Sequence, residues 1–269
     1  MFRAFLNIFR DNWQWRRQVW SLALADIRKT VRGTLLGWFW LFAKPLVYVV
    51  TLWFVIDIGL RSGHSTDTYP FLLWLSIGLF AWFYMSAMLS TGTDLYHRYP
   101  YLVNKLRFPL SVISNFYSLA QLMIYLISMV VLVIVMLLAG VSLSIYFIQL
   151  PFIIALMYLF FMFWSIMVSP LSAMSKDFSQ LIRTMNTPIF WISGILYNVD
   201  ALQLTWFKWI QAFNPVYYVV TALRAAICDK YWLWERPDLI IGFGVVLCTT
   251  MIIANWVLWR AGRVVPDVI

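Results

Sequence analysis

The feature that most constrains this chain is a long stretch without charged side chains. From Phe108 to Ser175 the sequence contains no Asp, Glu, Lys or Arg. A folded surface of that size would not stay soluble in water, because large exposed apolar patches drive association. The stretch can supply two transmembrane helices, since about 20 apolar residues cross a bilayer. The chain is therefore predicted to be an all-α integral membrane protein.

Composition supports a membrane protein and argues against a nucleic-acid partner. The chain is 63% hydrophobic and 12% charged, whereas soluble domains carry about 25% charged residues. The net charge of +9 is expected of a membrane protein, because basic side chains beside membrane helices collect on the cytoplasmic side. We therefore predict that the chain contacts membrane lipids and does not bind nucleic acid.

Six apolar stretches are predicted to cross the membrane within a single domain of 269 residues. In chain order they are 33–58, 71–91, 110–138, 147–172, 184–199 and 239–259. The fifth is the shortest and contains Pro188 and Gly194. Most Lys and Arg residues fall in the polar segments on one side of these crossings, which predicts that both termini are cytoplasmic.

Residues 1–32 are predicted to form an interfacial segment with an amphipathic helix between Phe2 and Trp20. One face of this helix carries six apolar or aromatic residues: Phe2, Phe5, Leu6, Phe9, Trp13 and Trp20. Arginines and polar residues occupy the opposite face. This pattern favours a helix in the headgroup layer, and a cytosolic helix packed on a partner protein is the alternative.

Residues 94–109, called here the polar loop, separate the second and third predicted crossings. They carry four basic or titratable nitrogen side chains: His97, Arg98, Lys105 and Arg107. The chain contains no G-x-x-x-x-G-K-[ST] motif for nucleotide phosphates, and no acid lies well inside a predicted crossing, as ion-coupled carriers usually need. The energy source is therefore expected outside the chain, with the polar loop as the point of input. No catalytic set and no metal site are predicted.

Residues 201–236 are too charged to cross, yet they are rich in aromatic side chains. Asn214 followed by Pro215 predicts a helix start, because Asn caps the free amides and Pro suits the first turn. We predict a re-entrant helical hairpin here, two half-helices that enter the outer leaflet and return before the last crossing.

Aromatic residues make up 19% of the chain, more than membrane anchoring requires. Rings with a polar tip suit a hydroxyl-rich polymer, since sugars present C–H faces and hydroxyl edges together. The candidates for a substrate path are Trp38, Lys44, Trp82, Tyr84, Trp191 and Tyr197. For each aromatic residue, interfacial anchoring or helix packing is the alternative. For Lys44, a topological role and contact with a lipid phosphate both stay open.

Several motifs together resemble a known family. They are LLGWFWLFAKPL at 35–46, YPFLLWLSIGLFAWFYMS at 69–86, LVNKLRFPLSVI at 102–113, and PIFWISGILYNVDAL through FNPVYYVVTALRAAI at 188–227. In this order, after an amphipathic helix, they resemble the membrane subunit of type 2 ABC exporters. The sequence is most similar to exporters of wall teichoic acid, O-antigen and capsule.

The resemblance implies a homodimeric permease in the bacterial cytoplasmic membrane, with two separate ATPase subunits that bind ATP and Mg. It also implies export of an undecaprenyl-diphosphate-linked polymer. The permease itself would be no enzyme and would carry no cofactor, and any carbohydrate-recognising module would belong to the partner. Two alternatives are a type 2 exporter of drugs or simple lipids and a membrane transferase acting on polyprenyl carriers.

The resemblance further implies roles for particular residues. The polar loop would hold a coupling helix seated in the ATPase, with contacts from Tyr101, Leu102, Lys105, Arg107 and Phe108. The re-entrant region would cap the outer exit through Asn214, Pro215, Tyr217 and Arg224.

Overall fold

The structure, a computed structural model, describes residues 2–60, 71–104, 108–138, 140–202 and 204–261. Throughout these ranges the chain forms helices joined by turns, without any strand. Five helical segments are long and apolar enough to cross a membrane: Phe39–Asp57, Phe71–Thr93, Leu110–Leu138, Ile145–Met174 and Pro237–Arg260. The prediction of an all-α integral membrane protein is confirmed.

Twelve α-helices are numbered here in chain order over the described residues. They are α1 Phe2–Gln14, α2 Arg16–Val31, α3 Phe39–Trp53, α4 Phe71–Ser90, α5 Leu95–Arg98, α6 Pro100–Asn104, α7 Leu110–Leu138, α8 Leu150–Met174, α9 Lys176–Ile192, α10 Thr205–Ala212, α11 Pro215–Arg224 and α12 Pro237–Ala261. Two π-helical segments extend α3 (Phe54–Leu60) and α11 (Ala225–Asp229). Four 3-10 turns lie at Thr91–Thr93, Ile145–Gln149, Val199–Ala201 and Leu233–Glu235.

Helix α4 lies at the centre of the bundle. It packs against α3, α7, α8, α9 and α11, and Leu75, Ile77, Leu79 and Met85 are completely buried. Its sequence is apolar on all sides, which is the pattern of a helix surrounded by other helices. The second predicted crossing is therefore the core around which the others are arranged.

Helix α9 runs antiparallel to α4 along most of its length. Three contacts show this, because the residue numbers rise along α9 while those of the partners fall towards and along α4. They are Arg183 with Asp94, Asn186 with Ser86, and Phe190 with Trp82. The fifth predicted crossing, residues 184–199, corresponds to the second half of this helix and the turns after it. The helix begins earlier than predicted, at Lys176, and ends earlier, at Ile192. With 17 residues and a charged first half, it is not among the five long apolar segments.

The first crossing starts later than the sequence suggested. It was predicted from residue 33, but turns occupy the chain up to Trp38, and α3 begins at Phe39. Gly33 and Gly37 have φ angles of +81° and +49°, a left-handed conformation that glycine adopts without steric cost and that interrupts a right-handed helix. The two glycines therefore separate the interfacial segment from the crossing.

The N-terminal segment forms two helices where one was predicted, with the break at Trp15. Ile8 of α1 and Ala23 of α2 are buried, and both helices pack against α7. Of the predicted aromatic face, Trp13 and Trp20 are 71% and 54% exposed, whereas the Phe9 ring lies 6.0 Å from that of Phe163; the side chains of Phe2, Phe5 and Leu6 lie outside the description. That arrangement suits the headgroup layer, and contact with lipid stays a prediction.

The region 201–236 contains the two predicted half-helices, α10 and α11. Asn214 precedes α11, and its Oδ1 accepts hydrogen bonds from the amides of Val216 and Tyr217 at 3.0 and 3.3 Å. The predicted N-cap, with Pro215 in the first turn, is confirmed. Both helices pack against α12.

Gly242 and Gly244 of α12 provide a matched test of this packing. A Cβ at Gly242 would lie 2.7 Å from the carbonyl carbon of Ala212, whereas a Cβ at Gly244 would meet nothing within 4 Å. We expect Gly242→Ala to destabilise the protein by about 1–3 kcal/mol, the usual cost of overpacking. Gly244→Ala should be neutral or slightly stabilising, since Ala favours helices. Thermal unfolding in detergent measures both, and equal melting temperatures for the two variants would contradict the contact.

Candidate functional site

The polar loop is a compact helical connection rather than an extended one. After the 3-10 turn at Thr91–Thr93, it forms α5 and α6 in close succession, with Pro100 as the first residue of α6. A residue before proline avoids the helical region, which explains why the helix breaks at Tyr99. The next residue that the structure describes is Phe108, and α7 begins at Leu110.

One face of the polar loop is buried and the other is exposed. The buried side chains are apolar or aromatic: Leu95, Tyr96, Leu102, Val103 and Phe108. The exposed residues include His97, Arg98, Pro100, Tyr101 and Asn104. Of the predicted partner contacts, Tyr101 is 56% exposed, whereas Leu102 and Phe108 pack inward. Lys105 and Arg107 lie outside the described residues.

Asp94 anchors the start of the polar loop to α8 and α9. Its Oδ1 accepts hydrogen bonds from the hydroxyls of Ser172 and Ser179, the latter at 2.6 Å. Its Oδ2 pairs with the guanidinium of Arg183. Three donors from two helices therefore converge on one carboxylate, and a displacement of the loop at this point must act on α9.

Asp26 provides a second anchor, on α2. The Tyr99 hydroxyl donates to Asp26 Oδ1 at 2.5 Å, and Arg98 Nη2 lies 3.6 Å from the same oxygen. Burial, together with the hydrogen bond to Asp26, raises the pKa of Tyr99, so Tyr99 stays a neutral donor. Asp26 is only 5% exposed, and its carboxylate ties the loop to α2 in addition to the attachment at α9.

A cleft of about 500 Å³ separates α2 from the polar loop. Its lining combines aromatic and apolar side chains with one arginine: Trp15, Arg17, Gln18, Ser21, Leu22, Leu102 and Phe108. Trp15 and Phe108 meet edge to face, with ring centroids 4.7 Å apart. The buried predicted contacts Leu102 and Phe108 thus form one wall of a groove beside the exposed face of the loop.

At the opposite end of α4, Arg224 joins three segments of the chain. It is 4% exposed, and its Nε, Nη1 and Nη2 donate to the carbonyl oxygens of Trp74, Gly194 and Ile195 at 3.3, 2.9 and 2.6 Å. Its Cζ lies 3.2 Å from the centroid of the Trp74 ring. Gly78 makes room for it, because a Cβ there would lie 2.6 Å from Nη2.

The other predicted cap residues lie at the start of α11, the helix that ends at Arg224. Asn214 Nδ2 donates to Ser193 Oγ and Gln211 Oε1 at 2.9 and 3.0 Å, which ties the start of α11 to the end of α9. Tyr217 is buried on α11, one helical turn after the cap. The structure thus brings Tyr217 and Arg224 together in the lining of one polar cavity, while Asn214 lies at the other end of α11.

The predicted path residues divide into two groups. Trp38 and Trp191 are 49% and 57% exposed, Lys44 is exposed and Tyr197 is partly exposed. Trp82 and Tyr84 are instead buried core residues in this conformation. The Trp82 ring packs 5.3 Å from Phe190, and the Tyr84 hydroxyl bonds Ser118 at 2.8 Å. These two do not face an open path, because α4 is enclosed on all sides.

The ionic partners at the site are not evident from the sequence alone. Asp26, Asp94 and Arg183 were not assigned anchoring roles, and Trp74 was not linked to Arg224. The only local signal was the position of Asp94 directly after an apolar run. The partners themselves are 73 to 150 residues apart, a separation that no local pattern encodes.

Arg224 should be essential for stability. Arg224→Gln leaves buried carbonyl oxygens without donors, and each such loss costs about 1–3 kcal/mol. Arg224→Lys keeps the charge but loses the planar fork, so we expect a smaller but clear decrease in melting temperature in detergent. Arg260→Gln, at an exposed position near the end of α12, is the control and should change little. An Arg224→Gln variant as stable as the wild type would contradict this assignment.

The Asp94–Arg183 pair can be measured by a double-mutant cycle. Asp94→Asn, Arg183→Gln and the double variant should show a coupling free energy of about 0.5–3 kcal/mol in unfolding, since the two groups are in contact. Asp177→Asn, an exposed carboxylate in the first turn of α9, serves as the control in a cycle with Arg183→Gln. Purely additive effects of Asp94→Asn and Arg183→Gln would show that the contact contributes nothing.

Comparison with known proteins agrees with this architecture. The chain is 19% identical over 221 residues to the O-antigen export system permease protein RfbA of Myxococcus xanthus, covering 82% of this chain and 84% of that protein. It is 22% identical over 223 residues to the protein of the same name from Klebsiella pneumoniae, with the same coverage. The sequence model of the ABC-2 type transporter family matches residues 17–228. With its multi-pass helical bundle, this chain therefore belongs to the ABC-2 type transporter family, as a membrane permease subunit.

Proposed function

We propose that this chain is the permease of an ATP-driven exporter that moves a lipid-linked cell-surface polysaccharide across the bacterial cytoplasmic membrane. The single observation that carries the proposal is the polar loop, which presents an exposed basic and aromatic face while two carboxylates, the buried Asp26 and the partly buried Asp94, fix it to the bundle. The names of the relatives support a polysaccharide as the cargo. Teichoic acid, O-antigen and capsule all fit this scaffold.

The proposed partners are a second copy of the chain and two ATPase subunits. ATP and Mg would be bound by those subunits. The exposed face of the polar loop carries Tyr101 and Arg98, and the adjacent cleft is lined by Trp15 and Phe108. Aromatic and arginine side chains contribute most of the binding energy at many protein interfaces. The polar loop is thus a surface on which a soluble ATPase could dock and push.

The proposed topology places both termini and the polar loop in the cytoplasm. The five long apolar segments alone would leave the termini on opposite sides. Because α9 runs beside α4 from Asp94 towards Trp82, it would supply the sixth crossing and return the chain to the starting side. The excess of Lys and Arg in the segments assigned to that side supports the orientation.

The proposed path uses the exposed members of the predicted aromatic set, Trp38, Trp191 and Tyr197. Lys44 is exposed on α3, and its ammonium group could contact the diphosphate of a lipid carrier as it enters the path. An exporter of drugs or simple lipids would use the same polar loop, and a genomic neighbourhood without glycosyltransferases would favour that alternative. A polyprenyl-carrier transferase would require an essential acid or histidine, which substitution of His64, His97 and the loop carboxylates would reveal.

The docking role of Tyr101 can be tested with the proposed ATPase subunit of the same transporter. We expect Tyr101→Ala to reduce the affinity of the purified permease for the ATPase by about 2 kcal/mol, the cost of removing a central interface aromatic, with normal expression. Trp206→Ala is the matched control, because Trp206 is an equally exposed aromatic residue on α10. Sedimentation or co-purification measures binding, and stimulated ATP hydrolysis measures coupling. Failure of the wild-type chain to form any complex would overturn the proposed function.

A further inference from the structure

A polar cavity of about 190 Å³, called here the outer pocket, lies beside Arg224. Its walls come from α4, from the turns that follow α9, and from α11 with the segment after it. Its buried lining includes Trp74, Gly194, Val199, Tyr217 and Arg224, and its exposed lining includes Asn198, Asp200 and Asp229. The cavity therefore has a rigid floor and a mouth open to solvent.

The outer pocket and the polar loop lie at opposite ends of α4. Trp74 lines the pocket, and Asp94 begins the loop just after the helix ends. Twenty residues of nearly continuous helix separate them, which corresponds to about 30 Å, the thickness of the hydrocarbon core. If the polar loop is cytoplasmic, the pocket faces the exterior, beyond the crossing that a cargo has just completed.

The charges that line the outer pocket are already balanced. Arg236 pairs with Asp200 through Nη1 and Nη2 at 3.0 and 3.4 Å, and with Asp238 at 3.4 Å. Although burial alone would lower the pKa of Arg236, its bonds to Asp200 and Asp238 raise it. Arg224 is held by three carbonyl oxygens, and Asp229 adds a second lining carboxylate. An anionic ligand would find no excess positive charge here.

The remaining lining chemistry suits a neutral ligand with many hydroxyl groups. Hydroxyl and amide side chains surround the cavity: Tyr197, Tyr217, Tyr231, Thr221 and Asn198. Such groups both donate and accept hydrogen bonds, as sugar hydroxyls require. At about 30 Å³ per water, the cavity holds about six waters, and it is smaller than the roughly 300–1,000 Å³ of pockets for drug-sized ligands. One sugar ring fits this volume, whereas an oligosaccharide does not.

We propose that the outer pocket binds a single uncharged sugar residue of the exported polymer on the external face of each protomer. This inference rests on the proposed function and adds a place where the cargo is held after it has crossed. Because the site holds only one sugar residue and its charges are compensated, it binds the polymer weakly. Weak binding on the external face opposes movement of the polymer back across the membrane without trapping it there.

The test uses the purified permease–ATPase complex in lipid nanodiscs and saturation-transfer-difference NMR. The probes are three neutral sugars (glucose, rhamnose and N-acetylglucosamine) and two anions (glucuronate and glycerol 3-phosphate). We expect saturation transfer to at least one neutral sugar and none to the anions. Thr221→Phe, which fills the cavity from α11, should weaken that binding by about tenfold, equivalent to about 1.4 kcal/mol. Thr221→Ser keeps the hydroxyl and the space and should bind as the wild type does.

A second variant tests the same pocket in case Thr221→Phe does not fold. Tyr197→Ala removes a lining ring from a different segment and should also weaken sugar binding, while the complex with the ATPase still forms. Binding only to the anions, no binding to any neutral sugar, or full binding by both Thr221→Phe and Tyr197→Ala would overturn the inference. If such results come from a complex that forms and hydrolyses ATP, the proposed function survives and only the pocket assignment fails.

Discussion

The architecture depends on how the two ends of one buried helix are held by charged groups. Within a bilayer, backbone groups outside regular helix must find partners inside the protein. At one end of α4, Arg224 donates to the carbonyl group of Trp74 in that helix and to those of Gly194 and Ile195 in the turn after α9. At the other end, Asp94 accepts from Ser172, Ser179 and Arg183. Arg224 thus satisfies two carbonyl groups of the turn after α9, and Asp94 ties the start of the polar loop to the side chains of α8 and α9.

The same anchors connect the polar loop mechanically to the rest of the bundle, as its proposed role requires. The loop is fixed to α9 through Asp94 and to α2 through Asp26. Since α9 packs along α4 up to Trp82, a push on the loop reaches the region of Arg224 through packed side chains and not through a flexible linker. Packed cores shift between discrete arrangements instead of deforming gradually, so an ATPase acting at the loop could change the outer end of the bundle.

Sequence patterns predicted the parts of this structure that depend on local chemistry. Uncharged stretches gave the long crossings, and Asn214 with Pro215 gave the start of α11, because hydropathy and capping act within one helix.

The long-range pairs could not be predicted in this way. Gly78 accommodates Arg224, which lies 146 positions further along the chain, and nothing near either residue indicates the other. Trp82 and Tyr84 were predicted for the path, whereas the structure buries both in the core, because an aromatic residue in a crossing looks the same in sequence whether it faces protein or substrate. The start of α3 was placed too early because hydropathy does not reveal the left-handed turns at Gly33 and Gly37, which lie just before and just inside the apolar run that begins at Leu35.

The most direct test of the account asks on which side of the membrane the polar loop lies. Single cysteines at Asn104 in the loop and at Trp206 on α10, both exposed positions, would be placed in a background lacking Cys228 and Cys248. Intact cells would then be treated with a membrane-impermeant maleimide before and after permeabilisation. The account predicts that the cysteine at 206 reacts in intact cells and that the cysteine at 104 reacts only after permeabilisation. Labelling of position 104 in intact cells would contradict it, because an ATPase in the cytoplasm could not reach the loop.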